Sequence, residues 1–198
     1  MKTFLYRGVP VIGFASFSGG GKTHLMRQLI PRLSTHGIRT AIVKHAHHDF
    51  DIDYPGKDSY ELRKAGANQV LVGSKQRWAM IVEKKKSGEP TLMEFLKRLL
   101  IVDIELVLVE GFRDGNFPKI EIHRNELGRN LFYPNDEFII AIISDNVTTH
   151  QNRLPTFDID DVDSITDFLV QYCATAIDMS GGADIPQPQS PYSKPHRD

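Results

Sequence analysis

A chain of 198 residues with 24 Lys and Arg, 25 Asp and Glu and a net charge of -1 is long enough for one α/β domain with a sizeable buried core. That balance lacks the basic excess on which non-specific nucleic-acid binding and electrostatic membrane anchoring depend. A single cysteine, Cys173, leaves no internal disulfide to form, no apolar run approaches the roughly 20 residues of a membrane helix, and the amino terminus has no signal-peptide core, so a soluble cytoplasmic protein is expected.

Val11 to Ala15 is a short apolar run, expected as a strand. Ser16-Phe17-Ser18-Gly19-Gly20-Gly21-Lys22-Thr23 is a glycine-rich turn, and an apolar pattern with helical spacing follows it. Strand, phosphate-cradling loop and helix in that order are the layout of a P-loop. Glycines let the backbone approach a phosphate closely, and the amides and helix N-terminus behind them favour negative charge. Lys22 is placed to reach the β- and γ-phosphates, and the Thr23 hydroxyl to ligate Mg²⁺. One position departs from the motif: Ser16 stands where glycine is usual.

Leu25, Met26, Leu29, Ile30 and Leu33 give the following helix one face to bury. Pro31 predicts a kink or an early end, and Gly37 is a natural C-cap. Thr40-Ala41-Ile42-Val43 reads as a strand buried on both faces. It runs into a loop that holds His45, His47, His48, Asp49, Asp51, Asp53 and Lys57. Carboxyl ends of strands line the ligand crevice of an open α/β sheet, so this loop is expected to face the nucleotide's neighbourhood. Its imidazoles suit a phosphate- or substrate-contacting loop, or a transition metal. Its aspartates either contribute to Mg²⁺ or form a solvated acidic loop.

Asp58 to Ala67 predicts a short helix, capped by Asp58 or Ser59 and closed by Gly66. Gln69–Gly73 and Trp78–Val82 are strands whose short connection, Ser74 to Arg77, favours an antiparallel pair. Leu92, Phe95, Leu96, Leu99 and Leu100 predict a further amphipathic helix. In Glu105-Leu106-Val107-Leu108-Val109-Glu110-Gly111 a buried strand ends in an acid, where P-loop enzymes place the Walker B carboxylate that holds Mg²⁺ or its water. Lys119-Ile120-Glu121-Ile122-His123 alternates as a strand with one wet face would. Phe138 to Ile143 is another buried strand that ends at Asp145. That carboxylate suits either the N1 and N2 edge of a guanine or a local turn. Ile165, Phe168, Leu169, Tyr172 and Cys173 predict a last helix, with Cys173 a small core residue and not a nucleophile. From Ser180 onward the composition offers no core, so residues 179–198 are expected as a disordered tail on a nucleotide-binding domain of residues 1–178.

On Ser16 to Thr23, Lys44-His45-Ala46-His47-His48-Asp49, Pro55-Gly56-Lys57-Asp58-Ser59-Tyr60, Arg77-Trp78-Ala79 and Val109-Glu110-Gly111-Phe112, the chain resembles the MobB family, molybdopterin-guanine dinucleotide biosynthesis protein B. The resemblance runs from the first strand to about residue 160. It implies GTP binding with weak hydrolysis, in support of attaching a guanine nucleotide to molybdopterin. It also implies a homodimer and a partner nucleotidyltransferase that performs the coupling.

The reading is thus a P-loop NTPase-type α/β fold, a mostly parallel sheet with helices on both faces and an antiparallel hairpin. Lys22 and Glu110 are the candidate catalytic residues. Ser18, Gly19, Gly20, Gly21, Lys22, Thr23, His24 and Asp145 are the nucleotide-binding candidates. Thr23, Glu110 and Asp49 are the Mg²⁺ candidates, and His45, His47, His48, Lys57 and Arg77 the substrate-binding ones. Two other functions fit the same residues: a small-molecule kinase with Glu110 as base, and a metal-delivery GTPase that uses the His-rich loop.

Overall fold

The computed structural model describes residues 1–46, 50–84, 88–147 and 154–179. Two compact units are distinguished, one built from Met1–His45 with the described residues from Thr91 onward and one from the described residues of Ala46–Pro90.

The first unit is organised on β2 (Val9–Ala15), all seven residues of which are buried. A short β1 (Leu5–Tyr6) turns back onto its start. β2 lies between β6 (Leu106–Glu110) and β7 (Lys119–His123). Outside these run β3 (Thr40–Lys44) beside β6, and β8 (Ile139–Ser144) then β9 (Thr156–Asp158) beside β7. All of these pairings except that of β1 are parallel. Alternate side chains leave opposite faces of a strand, and β2 uses both. Ile12 and Phe14 pack with α1 (Lys22–Thr35) and α4 (Val162–Met179), through Leu29, Leu33, Leu169 and Tyr172. Val11 joins Val43, Val107, Val109 and Leu96 on the other face. Leu96 closes the one-turn helix α3 (Leu92–Leu96), which Thr91 and Glu94 start with a reciprocal capping box. Leu99 and Leu100 lie past its end, with Leu100 exposed, so the longer helix expected there is not formed.

Within the first unit three other expectations change. Pro31 does not end α1, which continues to Thr35; one missing N–H is outweighed where Leu29 and Leu33, on either side of it, are fully buried. The helix then closes as Gly37 allows, with Gly37 N–H donating to Ser34 O and Ile38 N–H to Leu33 O, each at 3.0 Å. β3 is an edge strand with Ile42 40 % exposed, not a strand covered on both faces. β7 has no wet face. Lys119, Glu121 and His123 are all buried. Lys119 pairs with Asp136 at 2.8 Å, and Glu121 accepts from the N–H groups of Phe132 (2.7 Å) and Tyr133 (2.9 Å). A charged residue inside is tolerable when its hydrogen bonds are made there, and the chain between β7 and β8 makes them.

In the second unit α2 (Asp58–Lys64) precedes the antiparallel pair β4 (Gln69–Gly73) and β5 (Trp78–Val82). The cap of α2 is the backbone of Lys57 and not a side chain of Asp58 or Ser59. Arg63 binds Asp51 at 2.7 Å, Asp53 at 2.5 Å and Glu83 at 2.9 Å. Asp51 and Asp53, considered above for Mg²⁺, therefore serve as structural partners of a guanidinium within this unit.

Candidate functional site

The loop after β2 is shaped by close approach. A side chain at Gly20 would meet Ser16 Oγ at 1.7 Å, so the serine that departs from the motif occupies the space a Gly20 side chain would need. Ser16 Oγ itself donates to Phe17 O at 2.8 Å. Gly21 takes φ of 88° and opens α1 with no side-chain cap. The first amides of α1 are thus left for another acceptor, which an anion satisfies. Lys22 Nζ stands over the same loop, 3.3 Å from Ser16 O and 3.4 Å from Phe17 O.

β6 brings the acid to this loop. In register Phe14 pairs with Glu110, and Glu110 with Lys44 at the end of β3. Thr23 Oγ1 donates to Glu110 Oε1 at 3.4 Å, and Lys44 Nζ lies 3.4 Å from Glu110 Oε2. Burial pushes the Lys22 ammonium below its ordinary range; Glu110 opposes that, and Lys44 and Arg113 push it further down. Lys22 thus lies among the charges of Lys44 and Arg113 with Glu110 as its acid, a local excess of positive charge that an added polyphosphate relieves. A hydroxyl and a carboxylate oxygen side by side are the donor set for a hard divalent cation. Two neighbouring ligands on an octahedral Mg²⁺ at about 2.1 Å sit roughly 3 Å apart, close to the separation of the Thr23 and Glu110 oxygens. These residues fit the ion.

Gly111, directly after Glu110, has φ of 102°, and a side chain there would begin 2.7 Å from His45 Cβ. The His45 N–H donates to Glu110 O at 2.8 Å, and its ring stacks on Phe112 with centroids 4.7 Å apart. His45 is therefore packed beside the Glu110 strand end. Ser18, Gly19 and His24 are exposed on the loop and the first turn of α1. Asp145 Oδ1 accepts from Asn125 N–H (3.0 Å) and Nδ2 (2.9 Å), so local turn bonding, one of the two roles expected for it, is present. Despite burial, which raises it, the Asn125 amides and the Arg124 charge hold the Asp145 carboxyl below the usual range. Lys57 and Arg77 belong to the second unit, where Lys57 lies over the Tyr54 ring and Arg77 in the β4–β5 turn. His47, His48 and Asp49 fall outside the described residues. Among the described residues no group of three His, Cys, Asp or Glu gathers as a metal site, and no helix is long and apolar enough to cross a membrane.

Two cations escaped the sequence reading, Arg113 and Arg124, and Lys44, quoted there within its motif, was given no role. Lys44 and Arg124 stand at the ends of parallel strands, Lys44 closing β3 and Arg124 directly after β7. That place was the available signal, since strand ends line the crevice.

The sequence pattern of the MobB family, molybdopterin guanine dinucleotide synthesis protein B, matches residues 11–145. Over 165 residues the chain is 43 % identical to the molybdopterin-guanine dinucleotide biosynthesis adapter protein of Escherichia coli (strain K12), spanning 83 % of this chain and 93 % of that one. The adapter protein of Haemophilus influenzae is 35 % identical over 168 residues, 84 % of this chain and 90 % of its own. The fold is shared with the crystal structure of Bacillus subtilis MobB at a TM-score of 0.62 and 24 % identity, over 82 % of this chain and 97 % of that one.

Proposed function

The chain belongs to the MobB family, and on that premise we propose that it is a GTP-binding adapter of molybdopterin guanine dinucleotide biosynthesis that hydrolyses GTP slowly. The observation that carries the nucleotide site is the meeting of Lys22, Thr23 and Glu110 at one loop, with Thr23 Oγ1 and Glu110 Oε1 3.4 Å apart. Backbone amides of Ser18 to Thr23 and the first turn of α1, including His24, cradle the phosphates. Lys22 transfers its hydrogen bonds from the loop carbonyls to phosphate oxygens. Thr23 and Glu110 hold Mg²⁺, which when bound neutralises phosphate charge. Lys44, its Nζ 3.4 Å from Oε2, orients Glu110. Asp145, at the end of β8, completes the nucleotide side of the set.

His45 of the first unit and, independently, His47, His48, Lys57 and Arg77 of the second are proposed as hydrogen-bond donors to a phosphate-bearing pterin. The coupling itself belongs to a cytoplasmic nucleotidyltransferase to which this protein presents the nucleotide. A homodimer is supported by the second unit. Leu71, Trp78, Met80 and Val82 project from one face of the β4–β5 ribbon, 68 %, 49 %, 47 % and 42 % exposed, and a second copy offers the same apolar face in return.

Calorimetry with GTP and ATP, with and without Mg²⁺, tests the nucleotide site. Lys22→Ala removes a charge-assisted hydrogen bond of about 1.5–3 kcal/mol and weakens GTP binding more than tenfold. GTP binding of wild-type strength by the folded variant would sink the reading.

A further inference from the structure

β2 is flanked by β6 on one side and β7 on the other, and the two sides of its loop carry different chemistry. On the β6 side stand Glu110 and Lys44, with Thr23 donating to Glu110. On the β7 side stands Arg124, the first residue after the strand, in extended backbone at φ -113° and ψ 116°. A side chain at Gly21 would begin 3.5 Å from Arg124 Nη2. The guanidinium therefore lies against the residue that opens α1, where unpaired amides already concentrate positive charge.

A cation beside a helix N-terminus is unfavourable by itself. Among the described residues its acidic partner is Asp145, whose Oδ2 is 3.9 Å from Nη1, beyond hydrogen-bond length. Asp145 is fixed in turn by the Asn125 backbone and side chain, and Asn125 begins the helical turn Asn125–Leu127. Arg124 is thus pinned through its backbone by β7 and by Asp145 through Asn125, while its planar donors are not consumed by that acid. Charge, fork geometry and location all match a phosphate oxygen pair.

We propose that Arg124 is a phosphate-binding residue on the nucleoside side of the site, positioned by Asp145, and that it supports nucleoside diphosphate and triphosphate equally. This rests on the phosphate-loop reading. The candidate Mg²⁺ donors lie on the β6 side, where a terminal phosphate would be met. Arg124, across the loop, meets phosphates that a diphosphate retains. Asp145 acts through Arg124 and is a positioning residue.

The test is calorimetric titration of the full-length protein with GDP and with GTP. Arg124→Ala should weaken both about tenfold and leave their ratio unchanged, with Arg124→Lys recovering part of the loss because charge returns without the fork. Asp145→Asn should cost a few-fold, alike for GTP and ATP, while the exposed Lys97→Gln controls for general charge. A loss confined to GTP over GDP, or wild-type affinity in Arg124→Ala, overturns the assignment of Arg124. Loss of GTP but not ATP binding in Asp145→Asn makes Asp145 a base reader and overturns its positioning role. Should Arg124→Ala fail to fold, Arg124→Lys decides, by whether its loss is equal for the two nucleotides. Failure of the phosphate-loop reading is separately visible as undiminished GTP binding by Lys22→Ala.

Discussion

The two units spend their apolar residues in opposite ways. In the unit that carries the loop, Ile12, Leu29, Leu108 and Ile142 are wholly buried, and β3, β6, β7 and β8 end in the polar residues Lys44, Glu110, His123 and Ser144. In residues 46–90, β4 and β5 are as apolar in sequence yet contain no buried residue. Order there comes from charge, through Arg63 and its three carboxylates. A two-stranded ribbon is marginal alone. Apolar composition therefore marks a core in one unit and an exposed face in the other.

Core truncation separates them most strongly. Leu29→Ala should cost about 2–5 kcal/mol, as the loss of a fully buried Leu does when its cavity stays open. Leu71→Ser should change the stability of the dilute protein by less than about 0.5 kcal/mol and instead shift association toward monomer in sedimentation. A melting temperature that falls equally in both would mean that Leu71 belongs to a core of its own chain.

Next in size is the acid at the end of β6. Glu110→Gln should lower GTP hydrolysis by about tenfold or more while GTP affinity changes less, because amides and Lys22 supply much of the binding. Phosphate release at saturating GTP reads the first and calorimetry the second. Unchanged turnover would move the role to another carboxylate.

The second unit should give way first in acid. The Arg63 hydrogen bond, ahead of other influences, holds Asp53 below the usual carboxylate range. An acid depressed in the folded state adds stability above its unfolded value, near pH 4, and loses it as pH falls through the folded one. Trp78, the only tryptophan, sits on this ribbon. Its fluorescence should change below about pH 4 in a step that Arg63→Gln abolishes. Persistence of the step in that variant would place its cause elsewhere.

Local signals made the first unit legible. The strand, glycine loop and helix at residues 11–35, the acid ending β6 and the burial of Cys173, whose thiol burial pushes up to about 12, need only neighbours in sequence. What stayed hidden depends on neighbours in space. β3 and β6 have the same apolar pattern, and only strand order makes one an edge. Lys119 and Glu121 alternate as a wet face does, and their cover, Phe132 to Asp136, has no periodicity to announce it. Arg124 reaches Gly21 only because β7 lies beside β2.

The smallest effect concerns the loop's departure from its motif, and it probes how tightly the first unit holds its site. Ser16→Gly removes the hydroxyl bond to Phe17 O and adds backbone freedom worth roughly 0.5–1 kcal/mol in the unfolded chain. GTP affinity should stay within about threefold of wild type, with a small fall in melting temperature. Gly20→Ala should be far worse, since its methyl would meet Ser16 Oγ at 1.7 Å. Combining the two removes both Ser16 atoms from that contact and leaves Phe17 O, at 3.1 Å, as the next neighbour. The double variant should therefore bind GTP more tightly than Gly20→Ala alone, a coupling that additivity forbids for independent sites. Equal affinities for the double variant and Gly20→Ala would mean that the loop rejects the methyl for a reason other than Ser16.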